Sequence, residues 1–178
     1  LAAGRHFFWK GLLTYHFQKQ DITDIEISEG VHKQLLEKQT LAYYIRQFKL
    51  EPSERGLLFL DGVFSKILNA GTYYWWKNAT SISISKVDTR LTTMDIAGQE
   101  ILTKDKAQIR INFSIQYQVV DVLKAMLENK DFEKQLYMLM QLALRSYIGR
   151  MTLDELMDNK SAINAHVLED TASQIELL

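Results

Sequence analysis

The 178 residues carry 21 Lys and Arg against 22 Asp and Glu, a formal net charge of −1. That balance lacks the basic footprint of a nucleic-acid binder, while 47% hydrophobic residues suffice to build a proper core. With no cysteine, the chain has no disulfide, thiolate metal site or cysteine nucleophile, and suits a cytoplasmic setting.

Leu1–Asp21 and Leu68–Asp88 share Leu, Ala, Gly, Trp, two Lys and Asp at a constant offset, seven identities in 21. Asp24-Ile25 then recurs as Asp95-Ile96. We read an internal duplication, with a truncated β-unit over 1–30 repeating 68–96. The plainer reading of Trp9, Trp75 and Trp76 is core and cover. Residues 31–50 form a connection. Val31, Leu35, Leu36 and Leu41 fall at helical spacing within 29–44, and 45–50 alternates as a strand.

From 51 onward the pattern sharpens. Arg55–Leu60 and Val63–Leu68 flank Asp61-Gly62, the composition of a two-residue hairpin turn with both central residues at positive φ. Gly71 marks a second turn, and Ser81–Ser85 alternates around Ile82 and Ile84 as another strand. The longest regular signal runs from Ile109 to Val119. Ile109, Ile111, Phe113, Ile115, Tyr117 and Val119 alternate with Arg110, Asn112, Ser114, Gln116 and Gln118. One row belongs on a core and the other in water. Thr103–Lys106 is a polar turn that pairs Ile101-Leu102 with Ile109–Ile111.

Beyond Val119 the period becomes helical. Asp121 caps a short helix to Glu128, and Asp131 opens a longer one to Ile148 with Phe132, Leu136, Met140, Ala143 and Tyr147 as its stripe. Gly149 ends it. Thr152 and Glu155 form a capping box, and 161–178 reads as the start of a C-terminal helix or coiled coil. No apolar run is long enough to span a bilayer, since Leu136–Leu144 is interrupted by Gln141. Leu1 is not preceded by a methionine or a leader pattern, so the sequence reads as a piece of a longer protein, with any membrane anchor outside it.

Little points to reaction chemistry. His6, His16, His32 and His166 have no ligand spacing, and no phosphate loop, nucleophile elbow or zinc motif occurs. We therefore expect no catalytic, cofactor-binding or metal residues. Asp154, Glu155 and Asp158 read as first-turn helix residues that favour the macrodipole. The sequons at Asn78, Asn112 and Asn159 are short enough to arise by chance.

Several of these segments together resemble the SPFH, or Band 7, domain of stomatins, slipins and prohibitins. They are Val87-Asp88-Thr89-Arg90, Gln99–Asp105 (QEILTKD), the alternating strand, Leu144–Gly149 (LRSYIG) and Leu153–Met157. The similarity runs over 51–170. Ala70-Gly71 stands where the family often has Pro-Gly, and the partial β-repeat occupies the place of a membrane hairpin. The resemblance implies an α+β domain with antiparallel sheet and flanking helices, and it carries over no catalytic residues. It also implies a membrane-associated, homo-oligomeric scaffold on the cytoplasmic side, with itself and a membrane lipid or membrane protein as partners. The alternative is a soluble docking module without membrane contact. Tyr73, Tyr74, Trp75 and Trp76 are the candidate membrane or partner contacts, and Arg110 and Asn112 the candidate oligomer contacts.

Overall fold

The computed structural model describes residues 5–9, 11, 14, 17, 19–28 and 30–178, with backbone alone at 160 and 161. Among the described residues seven strands form three antiparallel sheets. β1 (Ile45–Leu50) pairs with β4 (Gly71–Trp76), and β2 (Glu54–Leu60) lies between β3 (Val63–Leu68) and β5 (Ile82–Asp88). β6 (Thr92–Leu102) and β7 (Gln108–Tyr117) make a two-stranded ribbon.

The β2–β3 turn is as the sequence dictates. Leu60 pairs with Val63 across Asp61 (φ 50°) and Gly62 (φ 81°), both left-handed. That geometry matches the twist of the flanking strands. The Asp61 carboxylate also accepts from the Ser81 amide at 2.7 Å, tying the turn to the start of β5. The β1–β4 sheet then packs on the three-stranded one through Leu50, Leu58, Leu68 and Trp75. Gly56 allows the close approach: a Cβ there would lie 2.9 Å from both Leu50 and Ile84 side-chain carbons.

Over the described residues 30–44 the connection is two separate single turns, α1 (Lys33–Leu36) and α2 (Gln39–Ala42), rather than one amphipathic helix. Lys38 takes an extended conformation (ψ 134°) between them. Leu36 and Leu41 can thereby both reach the outer face of β1–β4, where Ile45 and Trp76 are buried. The described residues of 1–30 form no strand, whereas 68–88 form β4 and β5. Among the described residues their one β-bridge runs from Glu26 to Trp75, beside a bond from the Trp76 amide to Ile25 O. Much of the first repeat copy lies outside the described residues.

β6 begins at Thr92, well before the Ile101-Leu102 pair. A bulge explains why its first half escapes the periodicity. Ile96 pairs with Phe113 and Gln99 with Ile111, so Ala97 and Gly98 together oppose Asn112. The extra residue flips the parity: Met94 and Ile96 face the core before it, Gln99 and Ile101 after it. Gly98 takes φ 67° there, and its amide donates to Asn112 Oδ1 at 2.6 Å.

The helices cover one face of this ribbon. Asp121 accepts from the amides of Leu123 and Lys124, but the short helix it opens becomes a π-helical turn over Lys124–Glu128. α3 (Phe132–Ile148) starts at Asp131, whose carboxylate accepts from Lys134 N. Its buried stripe is Leu136, Met140, Leu144 and Ile148, with Ala143 and Tyr147 flanking it. Each such side chain contributes roughly 1.5–3 kcal/mol of burial. Gly149 closes the helix in an ordinary helical conformation (φ −63°), not the left-handed one. The Thr152–Glu155 capping box forms at α4 (Leu153–Asp158), and Asp158 ends that helix instead of lying in its first turn. α5 (Lys160–Ile175) returns along α3, burying Val167 and Thr171.

Candidate interaction surface

The residues singled out for contact fall on two surfaces. On β4, adjacent side chains point to opposite faces. Tyr73 and Trp75 turn toward the sheet–sheet core, their rings stacked at 5.6 Å, and Tyr74 and Trp76 turn toward α1 and α2. Trp75 and Trp76 are only 4% and 5% exposed. The aromatic run does not form one exposed patch, because a strand must divide it between two cores. The two tyrosines are half-buried, with hydroxyls donating to Asn69 O and Glu37 Oε1.

Arg110 and Asn112 are brought together on the exposed face of β7. Asn112 is held by the Gly98 amide, and the Arg110 guanidinium lies beside the same glycine. Ser114 donates to Asp95 across the ribbon at 2.5 Å. This wet face is therefore ordered by cross-strand contacts of its own.

The QEILTKD segment is structural in a way its composition only hints at. Gln99 is 7% exposed, donates to Ala97 O and accepts from Gln141 of α3. It ties the ribbon to the helix that covers it. Thr103, also buried, donates to Asp105 at 2.5 Å and accepts from the Ala107 amide at 3.0 Å. The Lys104 amide reaches Met151 O, and Asp105 accepts from Leu153 N. Chiefly the Thr103 hydroxyl holds the Asp105 carboxyl below its ordinary range. At the next cap the Thr152 amide and hydroxyl do the same for Glu155. Asp88 is lowered by the forked contact with Arg90. These shifted groups each serve a turn or a cap.

Among the described residues no group of His, Asp and Glu is placed to hold a metal ion. His166 stacks on Tyr147 at 5.3 Å, while His16 lies outside the described residues. All three sequon asparagines are engaged: Asn78 with Thr23 and Asp24 carbonyls, Asn112 with Gly98, and Asn159 with Glu155 O.

Sequence reasoning missed the groove of about 590 Å³ along the outer edge of β7. Ile111, Phe113 and Ile115 form its floor, and Ile163, Val167 and Leu168 of α5 its wall. The missed signal is Leu168, an apolar residue on the helix stripe that is nonetheless 57% exposed.

A bulged antiparallel ribbon covered by a helical hairpin, joined to a small two-sheet unit, defines an α+β architecture. The SPFH domain / Band 7 family model matches residues 48–176. The chain belongs to that family. An uncharacterized protein of Methanocaldococcus jannaschii is 43% identical over 84 residues, covering 47% of this chain and 42% of that protein. A stomatin homolog of Pyrococcus horikoshii is 36% identical over 78 residues, 44% of this chain and 29% of its own. Stomatin-like protein 3 of Mus musculus is 30% identical over 84 residues, 47% of this chain and 29% of its own. The matched stretch thus spans less than half the length of each relative.

Proposed function

We propose that the chain is a non-catalytic, membrane-associated assembly module that associates with copies of itself, in the manner of a stomatin-type scaffold. The observation that carries this reading is the family match from β1 through α5, which takes in the whole ribbon and its helical cover. No helix among the described residues is long and apolar enough to cross a membrane, and the contact we propose for these residues is with the bilayer surface. Phe7 and Trp9 support it, being 88% and 90% exposed beside the exposed Arg5. Aromatic rings next to a cation favour the headgroup region of a bilayer. Tyr73 and Tyr74, half-buried on opposite faces of β4, remain proposed partner contacts, with the buried Trp75 and Trp76 beside them.

Two measurements test the reading. Light scattering on the full-length protein at micromolar concentration is expected to give a mass of several subunits; a monomer at all concentrations overturns the assembly part. In flotation with phosphatidylserine-containing vesicles, the protein is expected to rise with the lipid, and a Phe7→Ala/Trp9→Ala variant to do so several-fold less. Wild-type protein left at the bottom with every lipid composition overturns the membrane part and favours soluble docking.

A further inference from the structure

The outer edge of β7 is a ten-residue strand whose only sheet partner among the described residues is β6. Unpaired edges are usually blunted by lysine, proline, bulges or cover. The other edges here follow that rule. β1 carries Lys49, Lys66 of β3 is paired with Glu26, β5 carries Lys86, the β4 edge is bridged by Glu26, and β6 has its bulge. β7 has none of these devices. From Gln108 to Tyr117 it contains no proline, glycine or lysine, and Arg110 is its one charge.

The direction of its free hydrogen-bonding groups follows from the turn. The Thr103 amide donates to Ala107 O, the bond that closes the turn just beyond the last ladder pair, Leu102–Gln108. Bonded and non-bonded pairs alternate in an antiparallel ladder. Ile109 and Ile111 therefore bond toward β6, and the main chain of Gln108, Arg110, Asn112, Ser114 and Gln116 faces outward. Beside this edge lies the groove floored by Ile111, Phe113 and Ile115 and walled by Val167 and Leu168. An occupant must supply an extended backbone, an apolar row facing α5 and a polar row facing water.

We infer that the occupant is β7 of a second copy, paired antiparallel about a two-fold axis at Ser114. The inference rests on the self-association reading and names its surface. The register sets Phe113 opposite the partner's Ile115, Ile111 opposite the partner's Tyr117, and Asn112 opposite the partner's Gln116. Aromatic and β-branched residues meet on the apolar side, and amides meet on the polar side. With one charge per strand, displaced from the axis, no like charges are opposed. The two ribbons become one four-stranded sheet, and each α5 covers the apolar row of the incoming strand. An isologous contact of this kind needs only one surface patch, used twice.

The absence of cysteine from these 178 residues makes the test direct. Across the axis the two Ser114 Cα atoms would lie about 5.5 Å apart, within disulfide reach. In the full-length protein, Ser114→Cys is expected to link into a covalent dimer under mild oxidation, while Lys38→Cys, exposed between α1 and α2 on the two-sheet unit, is not. Gln116→Pro removes one outward amide and is expected to weaken association at least tenfold. Gln116→Ala, which keeps the amide, should stay within about twofold. Circular dichroism checks that both variants are folded; if Gln116→Pro is not, cross-linking decides alone. If wild-type protein self-associates but Ser114→Cys stays unlinked, assembly uses another surface: the β7 inference fails and the scaffold reading stands. A monomeric wild type overturns both.

Discussion

Gly62 illustrates how much one residue can fix. Its φ of 81° lies where a side chain is strained, and a Cβ there would meet nothing within 4 Å. Replacing it with alanine therefore isolates the backbone cost, about 1–2 kcal/mol, to be read as a lower urea midpoint at unchanged slope. An unchanged midpoint would mean that the turn relaxes at no cost. This residue was legible because Asp-Gly between apolar runs has few other uses. Tyr117 was legible only as a member of the apolar row. The fold adds its hydroxyl bond to Glu133 of α3 at 2.7 Å. Burial first, then that bond, pushes the phenol up to about 12. Its folded value lies above the unfolded value of about 10, so its contribution to stability is complete below pH 10 and is lost as pH rises toward 12. The absorbance difference between wild type and Tyr117→Phe should show a phenolate midpoint near 12. A midpoint near 10 would refute the burial of the phenol and its Glu133 contact together.

At the scale of elements, regular periodicity was the reliable guide and interruptions were not. β7 and α3 each carry an unbroken pattern, and both lie within a residue or two of where the sequence puts them. The first half of β6 was invisible because its bulge exchanges the inward and outward rows midway. The α1–α2 break was missed because spacing alone does not register the extended Lys38. On α3 the stripe was right in outline but rotated: Leu144 and Ile148 are buried, and the flanking Ala143 and Tyr147 only partly so. Two leucines test that orientation. Leu144→Ala should cost about 2–5 kcal/mol through lost burial and a cavity. Leu142→Ala, on the exposed side, should stay within about 0.5 kcal/mol. Equal losses in chemical denaturation would show that the helix is turned differently. The contact surface was less legible than the elements. Sequence places Tyr73 to Trp76 side by side, and only the strand's alternation sends them to separate cores.

The whole molecule joins the two-sheet unit to the ribbon-and-helix unit through a small shared core. Leu57 of β2 and Val87 of β5 bury Val122, with Val119, Leu123 and Met126 packed around them. The segment 119–126 thus belongs to both units. Sequence offered a short capped helix there but no sign of what it would touch. The distribution of chromophores makes the coupling measurable. All three tryptophans precede Ser81, whereas the long helices α3 and α5 follow Asp131. Fluorescence of the buried Trp75 and Trp76 reports the sheets, and far-ultraviolet ellipticity reports mainly the helical cover. In the wild type the two probes should trace one coincident transition. Val122→Asp places an unpaired carboxylate against Leu57 and Val87, costing on the order of 3 kcal/mol, and should separate the two midpoints. If the curves stay superimposed in that variant, the units are coupled elsewhere. If they are already separate in the wild type, the shared core does not hold the units together, and each folds on its own.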